Sequence, residues 1–236
     1  LQTLQAVLFD LDDTLYPERE FVLSGFRAVA SWSERRFGIP ADTSLPQLTR
    51  LYEDGIRFKT FDMWLAAHHS GTSVPIADLV RVYREHTPVL HPFPDTMRTL
   101  ETLRGRYRLG LLTDGVRAVQ EKKVAALGIA RYFQTITYSD ALGRDAWKPS
   151  PTPYRATLQA LQVEPEAAVY VGDNPAKDFL GARRAGMRSI RIRRLQCEHT
   201  DAEYPSQDHV PDCSIVTLDE LPAALHRMEQ MNTETP

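Results

Sequence analysis

The chain of 236 residues has only two cysteines, Cys197 and Cys213, too few to staple a chain of this length. Reduced thiols and a cytoplasmic setting are the expectation. Long apolar runs are missing as well, since none approaches the ~18 residues of a membrane-span candidate, and no signal peptide opens the chain. There is no initiator Met, which reads as a trimmed N-terminus. Excess charge is also lacking: a net charge of −3 offers no electrostatic case for nucleic acid or an acidic membrane surface. There is no internal repeat and no low-complexity tract. Hydrophobic content of 42% and charged content of 25% are what a soluble globular protein carries.

What is present is organised around residues 6–18, AVLFDLDDTLYPE. Ala6-Val7-Leu8-Phe9 has the continuous apolar character of a strand buried on both faces of a parallel sheet. It stops at Asp10, and Asp12 and Asp13 follow. In open α/β sheets chemistry sits at the carboxyl ends of the strands. One step further in extended chain points Asp12 to the same side as Asp10.

From Pro17 to about residue 89 the pattern is helical, with apolar residues at Val22, Phe26, Val29, then Leu48, Leu51, Tyr52, Ile56, then Ile76, Leu79, Val80, Tyr83. Phe58, Phe61, Trp64, His68 and His69 fall in this block and have two readings, substrate-side lining or helical core. Strands then alternate with helices. Leu109–Thr113, Thr135–Tyr138, Ala168–Asp173 and Ser189–Arg193 read as strands, and Asp95 as the cap of a helix through Leu103. A helix from Val116 to Leu127 ends at Gly128, and Thr217 with Glu220 forms a capping box for a last one. This is an α/β fold, a doubly wound parallel sheet with an inserted all-helical domain: residues 1–16 and 90–236 form the core, 17–89 the insert. The segment from Leu195 to Cys213 is expected to be irregular.

Each strand end of the first four delivers polar groups: Asp10 and Asp12, Thr113 with Asp114 and Gly115, Lys148 beyond the third, then Asp173 with Asp178 five residues on. Asn174 as cap and Pro175 after it put Asp178 in a first helical turn. Four carboxylates resist joint ionisation, and one lysine does not neutralise them, so a divalent cation is implied. Hard oxygen donors favour Mg²⁺. The cation, Lys148, the Thr113 hydroxyl and loop amides are suited to a phosphoryl group.

The ordered motifs resemble those of the haloacid dehalogenase superfamily: Asp10-x-Asp12-x-Thr14, Thr113, Lys148 in Lys148-Pro149-Ser150-Pro151, and Gly172-Asp173 with Asp178. The helical block matches that family's inserted cap. The resemblance implies a phosphatase. Asp10 would be the nucleophile, forming an aspartyl-phosphate, and Asp12 the acid and then the base. Mg²⁺ would be held by the Asp10 carboxylate, the Asp12 backbone carbonyl and Asp173, with Asp178 acting through water or by steadying Lys148. Thr113, Asp114, Gly115 and Lys148 are the expected substrate-binding residues, with loop amides sharing the phosphate's charge. An acid at position 12 argues for ester cleavage over dehalogenation, because an alkoxide leaving group needs a proton.

Asp114 stands where many relatives carry Asn, and is expected to turn away and cap the following helix. Asp13 is expected to be a turn residue. Cys197, His199, His209 and Cys213 could be arranged around zinc, but their spacing matches no common pattern. Arg183, Arg184, Arg188, Arg191, Arg193 and Arg194 read as a solvated face. The expected partner is a small phosphorylated metabolite, a sugar phosphate or nucleoside monophosphate, over which the cap would close. Oligomeric state is open. The alternatives are a phosphosugar mutase on the same scaffold, or a non-hydrolytic phospho-acceptor or binding module.

Overall fold

The computed structural model describes residues 3–68 and 75–231. Among the described residues are six parallel strands: β1 (Ala6–Phe9), β2 (Arg108–Thr113), β3 (Thr135–Tyr138), β4 (Ala168–Gly172), β5 (Arg188–Ile192) and β6 (Cys213–Ile215). Their order across the sheet is β3-β2-β1-β4-β5-β6. The chain walks outward from β1 through β2 to β3, then crosses to β4 on the other side of β1. The order therefore reverses between β1 and β4, the place where open α/β sheets bind ligands. Register makes this concrete, because Phe9 pairs with both Leu111 and Val171. Asp10, Thr113 and Asp173 consequently leave neighbouring strands at one edge.

β1 is buried throughout, and β4 is buried throughout as well. Leu8, Leu112 and Tyr170 pack on one face with Tyr154, Leu158 and Leu161 of α7 (Thr152–Leu161). The remaining core helices are α5 (Thr96–Arg104), α6 (Arg117–Leu127), α8 (Asp178–Arg184) and α9 (Leu221–Met231). Gly128 ends α6 in the left-handed conformation, φ 66°, which costs glycine nothing. The Thr217–Glu220 capping box is present, on a short 3₁₀ turn that leads into α9.

The chain divides into two compact units, residues 1–18 with 91–236, and residues 19–90. The second consists of most of α1 (Glu18–Phe37), with α2 (Ala41–Glu53), α3 (Thr60–Ala67) and α4 (Ile76–Glu85). Val22, Phe26, Val29, Leu48, Phe61, Trp64 and Leu79 form its core. Phe61 and Trp64 thus belong to that core, whereas Phe58 is fully exposed. His68 stacks at a tilt on Trp64, with ring centroids 5.1 Å apart. His69 lies outside the described residues.

Several local expectations are corrected. Asp95 precedes α5 without capping it. Its carboxylate instead takes two bonds from Arg194, at 2.6 and 2.8 Å, and one from the Leu218 N–H at 2.8 Å. The arginines are not uniformly solvated: Arg194 and Arg191 are buried, and Arg191 donates to the His199 and Ala202 carbonyls. A bidentate carboxylate or paired carbonyls replace much of the water a guanidinium loses on burial, though the Nε of Arg191 and of Arg194 has no partner among the described residues. Asn174 accepts the Ala176 N–H at 3.0 Å, and α8 starts four residues later, at Asp178. Strand β6, just past the irregular segment, is too short to carry a periodic signal.

Candidate active site

Two side-chain clusters occupy the carboxyl edge of β1. The first is built on Lys148, whose ammonium uses all three protons. It lies 2.6 Å from Asp10 Oδ1, 2.7 Å from Asp178 Oδ1 and 3.0 Å from the Tyr170 hydroxyl. Asp178 is fully buried; its second oxygen accepts the Asn174 N–H at 2.9 Å. Gly172 makes room for it, because a Cβ there would come within 2.4 Å of Asp178 Oδ2. Asp10, Asp173 and Asp178 each offer an oxygen within 4.8 Å of the others, and among the described residues they are the one acidic, histidine or cysteine group so arranged.

This geometry is electrostatically costly. Burial pushes the Asp10 carboxyl up to about 7, with Asp178 and Asp12 adding to the rise and Lys148 opposing it. Burial, then Asp178 and Asp10, drives Asp173 well above the usual carboxylate range. Burial alone would lower Lys148, yet Asp10 and Asp178 hold its ammonium firmly protonated. One lysine against three buried carboxylates leaves a deficit of positive charge. The all-oxygen, hard donor set fits a divalent cation such as Mg²⁺.

The second cluster surrounds Asp12. Its Oδ1 accepts from Lys123 Nζ at 2.7 Å and from the Tyr16 hydroxyl at 2.5 Å, and its Oδ2 accepts from Gln120 Nε2 at 2.9 Å. Burial would raise this carboxyl, but the Lys123 charge and the hydrogen bonds from Lys123, Tyr16 and Gln120 outweigh it and hold it low. Two aspartates two residues apart are thus driven in opposite directions. Such divergence marks carboxylates with different tasks. Gln120 also donates to Thr113 Oγ1 at 2.5 Å, tying the end of β2 to Asp12.

The other expected residues make local contacts. Asp114 does not cap α6: the N-cap position is Val116, with no side-chain cap, and Asp140 accepts the Arg117 N–H instead. Asp114 turns to Ser139 Oγ at 2.6 Å and the Lys148 N–H at 3.1 Å, pinning the loop that delivers Lys148. Gly115, at φ 122°, adjoins Gln120, and a Cβ there would stand 3.2 Å from Gln120 Cδ. Asp13 is a turn residue, φ 53°, accepting the Glu18 and Glu198 N–H groups. His199 bonds with Asn174 and His209 with Ser206, and the four cysteines and histidines of the 197–213 segment form no ligand cluster among the described residues.

Tyr16, Gln120, Lys123 and Tyr170 went unread in the sequence. A signal existed for two of them. Gln120, Lys123, Val124 and Leu127 fall at i, i+3, i+4 and i+7, and all four are buried, so two polar residues sit on an apolar helix stripe.

A family model for haloacid dehalogenase-like hydrolases matches residues 7–192. A glyceraldehyde 3-phosphate phosphatase of Methanopyrus kandleri is 34% identical, over 90% of this chain and 93% of its own. A phosphoserine phosphatase of Thermus thermophilus is 40% identical over 43% of this chain and 41% of its own. Among solved structures, a HAD phosphatase of Thermococcus onnurineus superposes with a TM-score of 0.62 at 29% identity, covering 94% of this chain and 98% of that one. A HAD-hydrolase of Bacillus subtilis bound to magnesium shares the fold, with a TM-score of 0.70 at 20% identity over 94% and 99% of the two chains. The chain belongs to the haloacid dehalogenase-like hydrolase family.

Proposed function

We propose that the protein is a Mg²⁺-dependent phosphomonoesterase that acts on a small phosphorylated metabolite through a phosphoryl-aspartate on Asp10. The observation that carries this reading is the pairing of Asp10 with Lys148 beside Asp173 and Asp178, next to a second, separately tuned carboxylate, Asp12.

Asp10, Asp173 and the Asp12 backbone carbonyl would hold the cation, with Asp178 steadying Lys148. When bound, the cation supplies charge neutralisation for the carboxylates and for the phosphoryl oxygens. Lys148 orients Asp10 and offers its positive charge to the entering phosphate. Thr113 Oγ1 accepts from Gln120 and donates only at 3.5 Å, to the Asp114 carbonyl, so its proton would turn readily to a phosphate oxygen. The Asp10 carboxylate attacks phosphorus, the P–O bond to the alcohol breaks, and the departing oxygen takes a proton from Asp12. In the second half, water attacks the phosphoryl-aspartate and loses a proton to Asp12, and the Asp10–phosphorus bond breaks to release phosphate. The free enzyme keeps Asp12 ionised, which suits the second half. For the first half, a phosphate ester bound as its monoanion would hand its proton to Asp12, which passes it to the departing oxygen.

The helical unit of residues 19–90 supplies the cap. The Methanopyrus relative makes a three-carbon phosphate ester the first substrate to test. Two cysteines, both free, support a cytoplasmic setting.

The test is phosphate release from glyceraldehyde 3-phosphate, phosphoserine, phosphoglycolate and a nucleoside monophosphate, with and without Mg²⁺, for the wild type and Asp10→Asn. Metal-dependent release that the substitution abolishes is expected. Undiminished turnover by a folded Asp10→Asn enzyme would remove the assignment.

A further inference from the structure

We propose that Lys123 and Gln120 are positioning residues that aim the Asp12 carboxylate at the leaving-group oxygen, with Thr113 Oγ1 anchoring the Gln120 amide. The proposal deepens the phosphatase reading and rests on Asp12 being the proton carrier.

Lys123 and Gln120 lie three residues apart on α6, on the face turned to the sheet edge. The Lys123 side chain is only 4% exposed. Burying an ammonium is costly unless it is paired, so its place beside Asp12 at 2.7 Å, with Glu18 at 3.7 Å, is a specific arrangement and not a solvated accident. Gln120 is likewise buried, and its single amide group spans two functional atoms. One bond goes to Asp12 Oδ2 at 2.9 Å, the other to Thr113 Oγ1 at 2.5 Å.

Lys123 and Tyr16 hold one carboxylate oxygen while Gln120 holds the other, so the plane of the carboxylate is fixed from both sides. Gly115 completes the device, since a side chain at its Cα would press on the Gln120 amide. Fixing a proton-transfer group in this way matters because small misplacements of a reacting group are expensive in rate. Neither residue needs to touch substrate. Both act through Asp12, and the bond to Thr113 Oγ1 holds the Gln120 amide in place.

A residue that acts through the proton carrier should matter only where the leaving group needs a proton. The experiment compares glyceraldehyde 3-phosphate, which leaves as an alkoxide, with p-nitrophenyl phosphate, which leaves as a stable phenolate. Rapid-quench single turnovers of the full chain with Mg²⁺ report the phosphoryl-transfer step. Lys123→Met and Gln120→Leu are each made alone and on an Asp12→Asn background.

The expected result is a loss of about 10²-fold with the alkyl ester and of less than about threefold in the p-nitrophenolate burst. Neither substitution should lower the rate further when Asp12 is already Asn. Equal losses on both esters, or a full additional loss on the Asp12→Asn background, would overturn the proposal by showing general damage. Gln120→Leu removes no charge, so it carries the test even where Lys123→Met does not fold. Undiminished alkyl-ester turnover by Asp12→Asn would remove the underlying reading, and the proposal with it. Wild-type-like rates in both positioning variants would overturn the proposal alone.

Discussion

The Lys148 ammonium lies 2.7 Å from Asp178 Oδ1, joining the loop after β3 to the first turn of α8 inside the protein. Both side chains are almost without accessible surface, 3% and 0%. A lysine so placed is committed to its carboxylates, and removing it leaves them uncompensated. Lys148→Met is therefore expected to abolish phosphate release and to cost about 3–5 kcal/mol of stability, the usual consequence of breaking a buried pair. Urea denaturation in EDTA measures the second effect. A loss below about 1 kcal/mol would mean that the buried acids do not depend on it.

Proton linkage gives a second prediction. The folded Asp10 carboxyl is raised from 3.8 to about 7, and Asp173 is raised too. In the metal-free protein these groups bind more protons folded than unfolded between those values. Their contribution is fully present below the unfolded pKa and is lost as pH rises through the folded one. A divalent cation replaces the lost protons. The rise in melting temperature on adding Mg²⁺ should then be larger at pH 8 than at pH 5. An increment independent of pH would separate the cation from these carboxylates.

A side chain at Gly115 would be strained by the backbone and pressed against Gln120. At φ 122°, with Gln120 Cδ only 3.2 Å from a Cβ, Gly115→Ala strains the backbone and displaces the amide. A cost of about 1–3 kcal/mol is expected, with slower alkyl-ester hydrolysis in the protein that still folds. Chemical denaturation beside steady-state kinetics tests both.

Arg194 and Asp95 form a buried bidentate pair, and Arg194 also donates to the Thr14 carbonyl at 3.1 Å. The pair joins the segment after β5 to the one before α5, and Asp95 further holds the start of the 3₁₀ turn at Leu218. Asp95→Ala should destabilise the fold by about 3–5 kcal/mol. A change within about 0.5 kcal/mol, by denaturant titration, would place the pair among solvated surface contacts.

What was legible in the sequence was what periodicity and motif order encode. Ala6–Phe9 and Ala168–Gly172 are continuous apolar runs, so both strands and the aspartates after them could be placed without tertiary information. Asp95 and Asp114 show the limit. Each precedes a helix and has the chemistry of a cap, yet each is taken by a partner distant in sequence, Arg194 in one case and the Ser139–Lys148 loop in the other. Local propensity cannot register a competitor that only folding brings near. Lys123 differs in part: its place on the apolar stripe of α6 signals burial, but its partner Asp12 is brought near only by folding.

The most direct test of the central claim is to trap the covalent intermediate. The wild-type enzyme is acid-quenched during turnover with Mg²⁺, reduced with borohydride and mapped by peptide mass spectrometry. An acyl phosphate on Asp10 yields homoserine at that position, and this conversion, dependent on substrate, is the predicted result. Phosphate release at full rate with position 10 unmodified, or with the label on another carboxylate, would contradict it.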